Sequence, residues 1–238
     1  MTESNNREKL LIRAYVIIGI AFLILIKYLQ IIHAGRTINR CMYAAIAVNT
    51  ALALYYYLRF GRKLKDKHVN LIAFGLFATF AADFFATLIG RRMSMTAYLC
   101  GAACFCIVEL IYAAYLRGGR SAVIMRAVLV AAGLIVLGVM GALKPDKILG
   151  VTNEMLILAN VIDAWAARRI NPHIFFKIGI TLFFACDTSI VIRSLTSGAI
   201  HDTAAFVVWI FYVPAQLLIT LAYVYGCRAG RQYNTERR

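Results

Sequence analysis

The chain has 238 residues, of which 62% are hydrophobic and only 16% charged, and its mean hydropathy is +0.74. Water-soluble domains carry about a quarter charged residues, so this composition excludes a soluble protein. The net charge of +15 lies in short clusters between apolar runs, a placement that argues against nucleic-acid binding and for a membrane protein.

Eight apolar runs follow one another along the chain, and the loops between them are too short for a second domain. Because about 20 residues of helix cross a bilayer, we predict an all-α membrane protein with one domain over residues 1–238. The predicted spans are Leu11–Ile32, Cys41–Leu58, Val69–Ile89, Met95–Leu116, Ala122–Leu143, Ile148–Ala167, Ile174–Leu195 and Thr203–Gly226. The first span is full length and no small-residue cleavage site follows it, so we expect it to stay as an anchor.

The basic residues predict the orientation of these spans. Most lysines and arginines, including Arg126, belong to the segments on the side of the two termini. The opposite loops carry only Arg36, Arg40, Arg91, Arg92, Lys144 and Lys147. The positive-inside rule then places both termini in the cytoplasm, and the surplus charge attracts anionic lipid. We expect a multi-pass protein of the cell membrane, the inner membrane if the source is a bacterium.

Cysteine and histidine form no metal or disulfide pattern. Cys100 and Cys104 are one helical turn apart, but no histidine accompanies them, so they are interpreted as small apolar residues. The histidines lie in loops or at span ends, at His33, His68, His173 and His201. An intramembrane zinc hydrolase needs histidines within the bilayer. We therefore predict neither a metal nor another cofactor.

Carboxylates inside the spans are the main functional signal, at Asp83, Glu109, Glu154, Asp163 and Asp187. A charged group at mid-bilayer costs roughly 3 kcal/mol on insertion scales, so each should face protein or water. Asp163 lies near the inner end of its span, close to Arg168 and Arg169, which favours an interfacial ion pair. The other four are candidates for a site.

The surroundings of Asp83 and Asp187 repeat along the chain. The third span has "GLFATFAAD" and the seventh has "GITLFFACD", and both fit G-x-x-x-x-F-A-x-D. An offset of four spans keeps the orientation, which suggests two parallel four-helix halves. The helix rise puts both aspartates roughly 20 Å from the cytoplasmic edge. Glu154 enters from the other side and reaches a similar height, so we expect three carboxyls near one plane.

Polar stripes mark two further spans. The fourth carries one at Tyr98, Gly101, Phe105, Glu109 and Tyr112, and the eighth one at Trp209, Tyr212, Gln216, Thr220 and Tyr223. Three- and four-residue steps put the members of a stripe on one helix face. Such a face either bonds neighbouring helices together or lines a shared polar cavity. The fifth span has no stripe and is predicted to face lipid.

Taken together, "GLFATFAADFF", "GAACFCIVELIY", "GITLFFACDTS" and "FYVPAQLLI" resemble the YhhN family of eight-span lysoplasmalogenases. The similarity covers nearly the whole chain. Three positions depart from the family's pattern: Glu109 stands where histidine is usual, Ala82 replaces glycine, and Cys186 replaces serine.

The resemblance implies cleavage of the vinyl-ether bond of lysoplasmalogens to a fatty aldehyde and glycerophospho-ethanolamine or -choline. Protonation of the β-carbon gives an oxocarbenium ion, to which water adds, so one carboxyl acid and one carboxylate suffice. Asp83 and Asp187 are the predicted pair, facing each other across a cavity with their carboxyl groups roughly 5–9 Å apart. The predicted substrate contacts are Glu109, Tyr112, Glu154, Arg193, Tyr212 and Gln216.

A proton-coupled transporter or lipid-handling protein is the alternative, because midplane carboxylates also relay protons. The spans are little broken, with Pro214 the single proline inside one, which favours the enzyme. The predicted partners are a lysophospholipid and membrane lipids, without nucleic acid. The sequence leaves open the head group, the chain length, the oligomeric state and which aspartate is the acid.

Overall fold

The computed structural model describes residues 2–32, 35–64, 67–89, 94–166 and 171–236, and eight long helices account for most of them. They are α1 (Thr2–Ile31), α2 (Gly35–Arg59), α3 (Asn70–Asp83), α4 (Met95–Leu116), α5 (Arg120–Val139), α6 (Pro145–Ala166), α7 (Ile174–Leu195) and α8 (Gly198–Glu236). Short 3₁₀ turns, Gly61–Lys63 and Lys67–Val69, connect α2 to α3, and a π-helix, Phe84–Ile89, continues α3. Within the described ranges the chain is all-helical, as predicted.

The helix ends follow local chemistry. Ser94 caps α4 by accepting a hydrogen bond from the Ala97 amide at 3.2 Å. Arg117 ends the same helix in the left-handed region, at φ 49°, which starts the turn toward α5. Pro145 occupies the first position of α6, where its missing N–H costs nothing.

Eight of the described helical segments are long and apolar enough to cross a membrane, in agreement with the eight predicted spans. Four of them are longer than the predicted spans, and they cover Asn6–Ile31, Thr37–Lys63, Pro145–Ala166 and Gly198–Gly230. Hydropathy detects only the apolar centre of a helix, whereas the hydrogen-bonded backbone continues through polar residues at both ends.

The helices pack around α8, which contacts α1, α2, α3 and, over the longest interface, α7. On the far side, α6 packs against α4, α5 and α7, and α3 packs against α4. The most apolar stretch of α8 is 50% buried, whereas those of α1 and α5 are 17% buried. The low burial of α5 agrees with the outer position expected for the fifth span, and its contact with lipid stays a prediction. The four-plus-four repeat and the cytoplasmic termini stay predictions.

Candidate active site

A cavity of about 200 Å³ lies where α3, α4, α6, α7 and α8 meet, in the half of the bundle away from the chain termini. Its described lining is Asp83, Ala86, Tyr98, Ala102, Phe105, Leu149, Gly150, Asn153, Glu154, Cys186, Asp187, Ile190, Val191, Val208, Trp209 and Tyr212. Three of the four candidate carboxylates therefore share one mostly apolar cavity.

Asp83 is the last residue of α3 and is 4% exposed. The hydroxyl of Tyr212 donates a hydrogen bond to its Oδ2, which ties α3 to α8. The π-helix that begins at the next residue widens the backbone, a feature often found at functional sites. Gly101 lets α4 approach this wide turn, because a Cβ there would lie 2.9 Å from the backbone nitrogen of Ala86.

Asp187 and Glu154 are held by two neighbouring contacts between α6 and α7. The Asn153 amide nitrogen donates to Oδ2 of Asp187 at 2.5 Å, and the Thr188 hydroxyl donates to Oε1 of Glu154 at 2.6 Å. Because both pairs join adjacent residues on the two helices, they fix the register of α6 on α7. Sequence analysis missed Asn153 and Thr188, although the position of each beside a carboxylate was a usable signal.

Aromatic rings form another part of the cavity wall. Trp209 meets Tyr212 edge-on with ring centroids 5.3 Å apart, and Phe183 packs edge-on against Tyr212 at 5.6 Å. Phe105 of α4 contacts Phe183 in turn, at 6.2 Å. These rings restrict the Tyr212 side chain and therefore hold its hydroxyl on Asp83.

Several predicted substrate contacts lie elsewhere. Glu109, Tyr112 and Gln216 are almost fully buried and, although described, are not among the side chains that line the cavity. Arg193 is exposed, nearly two helical turns beyond Asp187. Its backbone carbonyl accepts a hydrogen bond from a ring nitrogen of His201 at 2.9 Å. Arg91 and Arg92, the basic residues of the loop after the third span, lie outside the described residues.

Glu109 belongs instead to a buried polar chain that joins α4, α5 and α6. The Asn160 amide nitrogen donates to the Glu109 backbone carbonyl and to its Oε2, both at 2.8 Å, and Arg126 donates to Asn160 Oδ1 at 2.8 Å. Arg126 also forms an ion pair with Asp163 at 2.6 Å. We name these four residues the Arg126 network.

The Arg126 network modifies two expectations. Asp163 does form an ion pair near the end of its helix, but its partner is Arg126, while Arg168 and Arg169 lie outside the described residues. Arg126 had been assigned to the charge at the membrane surface, yet it is 8% exposed within α5. An arginine that is buried beside a carboxylate connects neighbouring helices, so its charge is weaker evidence for the orientation of a span than a charge in a loop.

The cavity can support acid–base chemistry within the membrane. It offers three carboxyls on different helices, each of which accepts a hydrogen bond from a neutral donor, in an apolar and aromatic surrounding. Carboxyls in such surroundings can act as proton donor and as stabiliser of a cation. Among the described residues no group of three or more His, Cys, Asp or Glu side chains is arranged to hold a metal ion.

A protein-family model described as the YhhN family matches residues 40–223 of the chain, a range that includes all the described residues that line the cavity. No curated protein and no solved structure matches the chain.

Proposed function

Because the chain belongs to the YhhN family, we propose that it is an intramembrane hydrolase that cleaves the vinyl-ether bond of lysoplasmalogens. The observation that carries the proposal is the common cavity of Asp83 and Asp187. It supports a reaction in which two carboxyls act on one substrate that arrives from the bilayer.

The reaction needs one proton donor and one anion. The protonated carboxyl transfers its proton to the β-carbon of the vinyl ether, and the double bond's electrons form the new C–H bond. The resulting oxocarbenium ion is stabilised by the second carboxylate, which also orients a water molecule. Water adds to the cation and returns a proton. The hemiacetal then breaks its C–O bond to release the aldehyde and the glycerol hydroxyl, so the net change is the addition of one water.

Neighbouring side chains would orient the pair. Tyr212 holds Asp83 from α8, and Asn153 holds Asp187 from α6, so each carboxyl has its own positioning residue. The two acids therefore have different hydrogen-bond donors, and a difference in surroundings allows one carboxyl of a pair to stay protonated while the other is ionised. Phe105 and Trp209 line the cavity, and aromatic side chains suit the hydrocarbon next to the vinyl ether and a developing positive charge.

Aldehyde release by the purified protein tests the proposal. The protein in detergent is incubated with a lysoplasmalogen, and the fatty aldehyde is measured by mass spectrometry. The saturated ether analogue of the same chain length is the control, since it has no double bond whose electrons could accept the proton. Release of aldehyde from the vinyl ether alone supports the proposal, and no release by the folded protein refutes it.

A proton-coupled transporter remains the second candidate, and the Arg126 network is the observation that favours it. Glu109 follows the cavity residue Phe105 by four positions on α4, and the network continues from it to Asp163 at the far end of α6. Buried polar residues that continue away from a cavity are typical of proton paths. A transporter in liposomes would acidify or alkalise the lumen when lysophospholipid is added, without aldehyde, which separates it from the hydrolase.

A further inference from the structure

Gly150 of α6 is a helical glycine whose missing side chain leaves open space. A Cβ built on it would lie more than 4 Å from every described heavy atom apart from its chain neighbours and the adjacent helix backbone. Gly179 of α7 differs, because a Cβ there would lie 2.8 Å from Cγ1 of Ile219. A glycine inside a helix is less favourable than alanine, since more backbone freedom is lost on folding. Gly150 therefore keeps a space that the packing of the described helices does not use.

This space belongs to the candidate active-site cavity. Gly150 lines the cavity one helical turn before Asn153, and Ile190 and Val191 line it one turn beyond Asp187. Asn153 and Asp187 are hydrogen-bonded to each other, and α6 and α7 run in opposite directions. Gly150 on α6 is therefore level with Ile190 and Val191 on α7. We name the space among these three residues the Gly150 gap.

The Gly150 gap is apolar and reaches the surface of the helix bundle. Ile190 is 44% exposed, more than any other described side chain that lines the cavity. Leu149 and Val191, which also line this part of the cavity, are aliphatic. Ile190 lies in a helix that is long and apolar enough to cross a membrane, so in a bilayer we expect the gap to open onto hydrocarbon. A hydrocarbon chain is the occupant that this lining suits.

The size of the cavity indicates why such an opening is needed. Its volume is about 200 Å³, whereas pockets that enclose a small-molecule ligand hold roughly 300–1,000 Å³. A lipid whose reacting end lies among the carboxyls must therefore extend out of the cavity.

From this geometry we propose that the Gly150 gap is a chain subsite, in which the hydrocarbon chain of a bound single-chain lipid leaves the cavity between α6 and α7 and continues along Ile190 into the bilayer. Gly150 determines the width of this exit because it has no side chain. The inference deepens the proposed function and rests on it only for the single-chain lipid as ligand. It concerns binding and not cleavage.

Binding is measured with a saturated alkyl-ether lysophospholipid that carries bromine atoms in its chain. This probe has no vinyl bond, and bromine quenches tryptophan fluorescence on contact. The protein has two tryptophans, and replacement of the exposed Trp165 by phenylalanine leaves Trp209 as a reporter in the cavity wall. Gly150→Ala and Gly150→Leu are compared with the parent protein in this background.

Gly150→Leu should weaken the saturable quenching of Trp209 about tenfold or more, because the leucine side chain occupies the space of the lipid chain and overpacking is unfavourable. Gly150→Ala adds one methyl group and should lose less affinity. The temperature of unfolding should stay or rise in both variants, since the new side chain enters open space and both residues favour a helix more than glycine does. A glycine required for packing would give a lower temperature of unfolding.

Gly138→Leu is the matched control. Gly138 is an exposed helical glycine of α5 outside the described cavity lining, and the nearest atom to a Cβ there is Cδ1 of Leu143 at 3.9 Å. This variant should bind the brominated lipid within about twofold of the parent. Ile190→Phe narrows the gap from α7 at an exposed position and should weaken binding in the same way as Gly150→Leu.

A folded Gly150→Leu protein that binds the brominated lipid as tightly as its parent would overturn the chain subsite, and so would an equal loss in Gly138→Leu. If Gly150→Leu does not fold, unchanged binding by Ile190→Phe overturns it. Weaker binding in the gap variants, without aldehyde release from a vinyl-ether lipid by the unmodified protein, would remove the hydrolase and keep the subsite. Equal aldehyde release by Gly150→Leu and the unmodified protein would remove the subsite alone.

Discussion

Replacement of Tyr212 by phenylalanine removes a single hydroxyl from the candidate active site. That hydroxyl donates to Oδ2 of Asp83, and the ring is held by Trp209 and Phe183, so the variant should keep its packing. A hydrogen bond to a charged group contributes about 1.5–3 kcal/mol. If that energy orients Asp83 in the transition state, kcat/KM falls about 10- to 150-fold.

The assay is aldehyde release from lysoplasmalogen in detergent, with kcat and KM determined separately. Tyr223→Phe is the matched control, because its hydroxyl is also buried on α8 and donates to Asn70 Oδ1 at 3.1 Å, three turns from Tyr212. It should stay within about twofold of the unmodified rate, since it loses a similar bond away from the cavity. Full activity of Tyr212→Phe, or an equal loss in Tyr223→Phe, would refute the positioning role.

Two further outcomes are expected. Arg126→Leu should lower the free energy of unfolding by about 3–5 kcal/mol, because it leaves the buried carboxylate of Asp163 without its ion-pair partner. The further substitution Asp163→Leu should restore most of the loss. A double variant that is as unstable as Arg126→Leu in thermal unfolding would contradict the ion pair. Arg193→Gln should raise KM more than it lowers kcat if the exposed guanidinium holds the substrate phosphate, and an unchanged KM would exclude Arg193 from the site.

The fold was largely predictable because the bilayer constrains it. Each span must hold about 20 apolar residues, so the number and order of helices can be read from hydropathy. The sequence also predicted that Asp83, Glu154 and Asp187 lie close together, since the helix rise per residue gives the depth of each carboxyl in the bilayer. The shared cavity of these three carboxyls agrees with that reasoning.

The sequence did not predict which helices pack against each other, because periodicity shows which residues share a helix face but not which neighbouring helix that face contacts. The stripe through Glu109 and Tyr112 therefore suggested substrate contacts, whereas Glu109 bonds to Asn160 of α6. The same limit hid the pairing of Asn153 with Asp187. The π-helix after Asp83 was also missed, since a widened turn leaves no hydropathy signal.

The most direct test of the account is the rate of aldehyde release by Asp83→Asn, Asp187→Asn and the double variant, compared with the unmodified protein. If the two carboxyls divide the roles of acid and stabiliser, each single variant loses most of kcat, and the double variant is little worse than either, because residues that act as a unit are not additive. All three proteins should fold, since removal of a buried charge relieves its desolvation cost. A single variant that keeps more than about a tenth of the turnover, a change in barrier below about 1.4 kcal/mol, would contradict the central role of that aspartate.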